Sequence, residues 1–187
     1  QKNPENALRR VEAAVLSMDK APQEALQMLD EFETRLSDHP VVLAGYALTA
    51  GEAGEPEEAL AAIEKALSKW NDEPQWHIFA SNWSRELKFF DGSIAHLKTA
   101  ADLDPANFDY ALEIGKSALE LADSSLAIQY LRKAAHLDPV NYLPWLFMAK
   151  TYHVDGDIPQ AIASIERAVT LAPNQAEPQV FSASLSI

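Results

Sequence analysis

The chain has 187 residues, enough for one ordinary globular domain or a short repeat array, and carries 28 acidic against 15 basic side chains, a formal charge of -13. Acidic residues outnumber basic ones in both halves. No basic stripe is left to neutralise phosphates, so nucleic acid and anionic membrane surfaces are poor partners. Cysteine is absent, which excludes disulfides, thiolate catalysis and cysteine-ligated zinc.

Alanine, leucine, glutamate and glutamine are abundant and glycines number only 6, a balance that favours helix because these residues lose little rotamer freedom there. No apolar stretch approaches the length of a membrane span, and no charged-then-apolar leader stands at the start. The chain opens at Gln1 rather than at methionine. It therefore reads as a mature product or an excised segment, with room for a leader or anchor upstream. A cytoplasmic location is favoured over a periplasmic or exported one.

The dominant signal is an internal repeat of 34 residues. Small residues recur at Ala25, Ala59, Ser93, Ala127 and Ala161, and one residue on come Leu26, Leu60, Ile94, Ile128 and Ile162. Leu29, Ile63, Leu97, Leu131 and Ile165 follow, then Phe32, Ala66, Ala100, Ala134 and Ala168. An earlier small row runs through Ala13, Ala47, Ser81, Gly115 and Ala149. Only Ala, Gly or Ser lets two antiparallel helices approach closely at such points, so Gly115 reads as a packing residue.

In chain order, this register predicts one array over 1–187. Its units are approximately 6–39, 40–73, 74–107, 108–141 and 142–175, with 176–187 a partial helix or cap. Each unit reads as two helices. In the second unit, Glu57 and Glu58 suit a helix N-terminus, where acidic side chains meet the positive end of the dipole. In the third, Trp76 and Trp83 share a helix face at i, i+7. Pro105 and Pro139 end the second helices of the third and fourth units. In the fifth, a first helix is predicted from about Leu143 to Val154. Gly156 and Asp157 then make the turn, and Pro159 sits near the next helix start, where its missing N–H costs nothing. Ala161, Ile165 and Ala168 lie on one face there, and Leu171 extends the stripe.

The period, the two-helix unit and the small rows resemble the tetratricopeptide repeat family. The fifth unit matches its signature through Trp145, Met148, Ala149, Tyr152, Gly156, Ala161, Ile165, Ala168 and Pro173, and the fourth through Ile114, Gly115, Ala127, Leu131, Ala134 and Pro139. The resemblance implies an all-α, right-handed superhelical solenoid of antiparallel helix pairs, about five repeats plus a partial terminal helix. The first two units depart from the pattern: Arg9 and Glu12 replace large apolar residues, and Ser37 and Asn71 stand where proline is usual. In the third unit the aromatic slots hold His77 and Ser84, with Trp76 and Trp83 one residue earlier. A local rotation of that helix is expected, with both rings packed between neighbours; the alternative is that they are exposed binding anchors.

Chemistry has no candidate in this sequence. None of His39, His77, His96, His136 and His153 stands at metal-ligand spacing. His77 and His96 lie on the two helices of one unit and could approach each other, but a pair without a third ligand reads as packed or solvated histidines. Asp155, Gly156 and Asp157 with Glu166 fall short of a calcium loop, because Gln160 stands at the glycine position and Pro159 at the next ligand position. Asp157 reads better as a helix cap. No nucleophile elbow or phosphate-cradling glycine loop is present. The chain is expected to be no enzyme and to need no cofactor or metal.

The family resemblance further implies that first helices line a concave groove, with slots just off the packing stripe pointing into it. Those slots hold Val11, Ala44, Gly45, Leu48, Ile78, Phe79, Asn82, Leu112, Glu113, Lys116, Leu146, Phe147 and Lys150. The predicted contacts for a partner are Leu48, Ile78, Phe79, Asn82, Leu112, Lys116, Leu146, Phe147 and Lys150. The expected partner is a protein or peptide with an apolar or amphipathic segment, and Lys116 and Lys150 could hold a carboxylate on it. Family members that bind chaperone tails use a carboxylate clamp. Here Asn82 fits one clamp slot, but Ile78, Glu113, Leu143 and Phe147 fill others, so that ligand is not expected. The reading is a scaffold or adaptor. Its alternatives are a self-associating module and a regulatory segment of a larger multidomain protein.

Overall fold

The structure, a computed structural model, describes residues 40–185. The predicted first unit at 6–39, with Val11, His39 and the departures at Arg9, Glu12 and Ser37, lies outside the described residues. The described residues divide into two compact units, one up to Leu103 and one from Asp104 onward.

In the first unit, α1 (Pro40–Glu52) pairs with α2 (Pro56–Leu67), and α3 (Pro74–Glu86) pairs with α4 (Phe90–Leu103). Proline opens α2 and α3 in the first turn, where the backbone has an N–H without a helical partner anyway. In the second unit, α5 (Phe108–Glu120) pairs with α6 (Ser124–Leu137) and α7 (Leu143–Val154) with α8 (Ile158–Leu171), while α9 (Ala176–Ser184) packs on α8. Side chains cap three of these helices: Asn107 accepts from the Asp109 and Tyr110 amides, Asp123 from Leu126 and Asp157 from Gln160. All described secondary structure is helical.

The 34-residue register recurs in the turns. Gly54, Lys88, Ala122 and Gly156, one per helix pair, all have positive φ, between 56° and 80°. The amides of Glu55, Phe89, Asp123 and Asp157 reach back to the carbonyls of Ala50, Ser84, Ala118 and Tyr152 at 2.7–2.9 Å. This is the Schellman ending, in which a left-handed residue lets the chain turn back and satisfy the last carbonyls. Glycine adopts that conformation freely. Lys88 and Ala122 hold it at a cost of about 1–2 kcal/mol each, because Cβ crowds the following carbonyl.

The small rows are buried as their spacing predicts. Ala47, Ala59, Ala66, Ala100, Ala127, Ala134, Ala149, Ala161 and Ala168 are fully buried, as are Ile63 and Leu131. In the α3–α4 pair both small slots hold serine, and Ser81 Oγ and Ser93 Oγ satisfy each other at 2.8 Å.

The expected rotation of the third predicted unit is corrected. His77, Ala80, Ser81 and Ser84 are all buried, so the signature slots of α3 keep their register. Trp83 is buried as well: it joins the core of α1 and α2, and its ring lies where a Cβ on Gly51 would come within 2.6 Å. One glycine on α1 makes room for the indole, so α3 has no need to turn. Trp76 is half-buried against the same core and stacks on Trp70.

Candidate functional site

In the first unit, Leu48 on α1 and Phe79 on α3 are half-buried and pack against one apolar core. Phe79 also stacks on Trp83, ring centres 6.0 Å apart. Ile78 is half-buried, and Asn82 is exposed and accepts from Arg85 Nη2. Ala44 and Gly45 are buried, so neither offers groove surface.

The same unit holds a histidine pair. His77 Nε2 lies 3.2 Å from the Asn71 carbonyl, to which it can only donate. In the neutral ring His77 Nδ1 is then an acceptor, and His96 Nδ1, 3.3 Å away, is the donor. That leaves His96 Nε2 as the one bare nitrogen, 3.7 Å from Glu64 Oε1 on α2. Burial holds the His96 pKa below its ordinary value of 6.5; His77 lowers it further, and Glu64 opposes both. The folded state therefore binds this proton less readily than the unfolded chain does. The associated stability is present above pH 6.5 and declines as pH falls from there through the folded value. Urea midpoints should be lower at pH 5 than at pH 7.5, and His96→Gln should flatten that difference. An undiminished pH slope in His96→Gln would remove the pair as its source. Among the described residues, no cluster of three or more histidine or carboxylate groups could hold a metal ion.

In the second unit, three predicted residues meet. The Phe147 ring of α7 has Lys150 Nζ at 4.9 Å and Lys116 Nζ, from α5, at 5.7 Å from its centre. Cations at these distances are attracted to the negative ring face. Lys116 pairs with Glu113 at 2.6 Å, and Lys150 with Glu177 of α9 at 2.7 Å. These three partly exposed side chains thus form one surface, an aromatic ring between two ion-paired lysines. Leu112 is buried and Leu146 fully so. Leu146 belongs to the core with Ala149, Ile165 and Ala168, and burial leaves neither leucine open to a partner. Glu177 is the residue that groove reasoning missed. Its only sequence signal is a place in the first turn of a helix begun at Ala176.

Asp157 caps α8 through the Gln160 amide, and Gly156 has φ 76°, so Asp155–Asp157 forms a turn. Among the described residues no helix is long and apolar enough to cross a membrane.

Comparison with known proteins agrees with this architecture. The chain resembles the solved structure of YrrB, described as a TPR protein with an unusual peptide-binding site, at TM-score 0.83 and 16% identity, over 96% of this chain and 93% of that one. It resembles the AMB-1 MamA structure at TM-score 0.78 and 15% identity, over 93% and 96%. MamA from Desulfovibrio magneticus RS-1 superposes at TM-score 0.70 and 16% identity, over 79% and 83%. At such identities the likeness speaks for fold alone. No curated protein matches the sequence. The tetratricopeptide repeat model matches residues 83–142 and 112–176, together half of the chain. With all described secondary structure helical and paired, the chain belongs to the tetratricopeptide repeat family.

Proposed function

We propose that the chain is a protein–protein interaction scaffold, one array over 1–187 that binds an apolar or amphipathic segment of a partner protein along its first helices, without catalysis. The observation that carries this reading is the Phe147 surface, an aromatic ring left partly exposed between two ammonium groups. Leaving apolar area wet costs about 25 cal/mol per Å², and a partner side chain seated on the ring would recover it. The lysines would meanwhile turn from Glu113 and Glu177 toward a carboxylate of the partner. Ile78, Phe79, Leu48 and Asn82 offer a second, mostly apolar patch in the first unit. The fold likeness to YrrB, a protein described as peptide-binding, supports the same reading.

The test uses a peptide selected against the protein from a random library. Phe79→Asp and Phe147→Asp are each expected to weaken its binding on the order of tenfold or more, as for a residue central to an interface. Helical circular dichroism should be retained. Unchanged affinity in both variants would refute the reading.

A further inference from the structure

A cavity opens on the other side of α7. At 100° per residue, Trp145, Met148 and Tyr152 share one side of this helix, and Phe147 and Lys150 share the opposite one. On the Trp145 side, α6, α7 and α8 border an open cavity of about 430 Å³ lined by Arg132, His136, Trp145, Tyr152, Gln160 and Ser164, among others. That volume suits a small molecule or one or two residues of a peptide.

The lining is more apolar than polar, Arg132 is its one permanently charged group, and it contains no carboxylate although the chain carries a net charge of -13. Arg132 Nη2 donates to the Tyr152 hydroxyl at 3.1 Å, so the phenol has its own proton left to give. The Trp145 indole nitrogen is buried and has no hydrogen-bond partner. An indole N–H can only donate, and a buried donor left without an acceptor is costly. The guanidinium of Arg167 stands 6.0 Å from the same indole ring. The floor supplied by Trp145 and Met148 is apolar.

We infer that this cavity binds a carboxylate carried on an apolar or aromatic body, with Arg132 as its main counter-charge and Tyr152 as a further donor. Such a group comes from a peptide C-terminus or from an acidic side chain. The site is separate from the Phe147 surface, and it stands or falls independently of it.

The four tryptophans give four indole N–H signals in a ¹⁵N–¹H spectrum, and Trp145→Phe identifies one of them by its loss. N-acetylphenylalanine, a C-terminal carboxylate, and N-acetylglutamic acid α-amide, a side-chain carboxylate, are titrated in turn against N-acetylphenylalanine amide. At least one acid should shift the Trp145 signal, and which of them does so identifies the source. The amide should not. Arg132→Gln should weaken the response about tenfold, the scale of one charge-assisted hydrogen bond, and Lys69→Gln, at an exposed lysine of the first unit, should leave it unchanged. The proposal is overturned if neither acid shifts the signal, if the amide shifts it equally, or if Arg132→Gln has no effect. Should Trp145→Phe fail to fold, the Arg132→Gln and Lys69→Gln titrations followed by calorimetry decide the same question.

Discussion

Truncating Leu131 to alanine is expected to destabilise the protein by about 2–5 kcal/mol, the cost of removing a fully buried leucine and leaving part of its space empty. Leu131 has no exposed surface, and its branch point lies against Gly115. A Cβ at Gly115 would come within 2.6 Å of Leu131 Cγ and 3.4 Å of the Ala127 carbonyl oxygen. Cγ cannot swing aside as a chain end would, so Gly115→Ala should cost about 1–3 kcal/mol by overpacking. That outweighs the helix propensity gained, about 1 kcal/mol. The two changes should couple with a change of sign: in the Leu131→Ala background the same Gly115→Ala gains propensity, fills part of the void and becomes stabilising. Four urea melts followed by circular dichroism complete this cycle. If Gly115→Ala destabilises equally in both backgrounds, the glycine is not there to admit Leu131.

Trp83→Ala is expected to be costlier still, about 3–5 kcal/mol. The indole is 9% exposed, stacks on Phe79 and fills the space that Gly51 leaves open. Gly51→Ala alone should also destabilise, since a Cβ there meets three ring atoms at 2.6–2.7 Å and a rigid ring cannot yield. Once Trp83 is alanine, Gly51→Ala should be tolerated. Trp70, 42% exposed, supplies the control. Its replacement by alanine loses a stack on Trp76 worth about 0.5–1.5 kcal/mol. A Trp83→Ala loss no larger than the Trp70→Ala loss would return Trp83 to the role of a surface anchor.

The helix pairs were legible in the sequence because close packing of repeated helices leaves a periodic mark. Where two helices touch, only Ala, Gly or Ser fits, and the buried rows through Ala127, Ala134, Ala149 and Ala161 reproduce that demand. The caps were legible for a similar local reason: Asp157 precedes its helix by one residue, and its carboxylate needs only the Gln160 amide within the same turn. The left-handed residues at Lys88 and Ala122 were not, since neither favours positive φ. Their place is found only through the register they share with Gly54 and Gly156.

The candidate site was legible in part. Lys116, Phe147 and Lys150 were selected by slot and do meet around one ring. Leu112 and Leu146 came from the same rule and are buried, because one residue along a helix turns a side chain by 100°. At the margin of a packing stripe, that rotation leaves burial to the neighbouring helix.

What the sequence determined by itself was the two-helix unit, its 34-residue register and the residues that must be small, since these follow from local periodicity and contact size. The tertiary structure alone decided which borderline side chains stay open, that Glu177 meets Lys150, and that Gly51 admits Trp83 without any turn of α3. Those outcomes depend on distances between helices far apart in the chain, and no local pattern of residues encodes such distances.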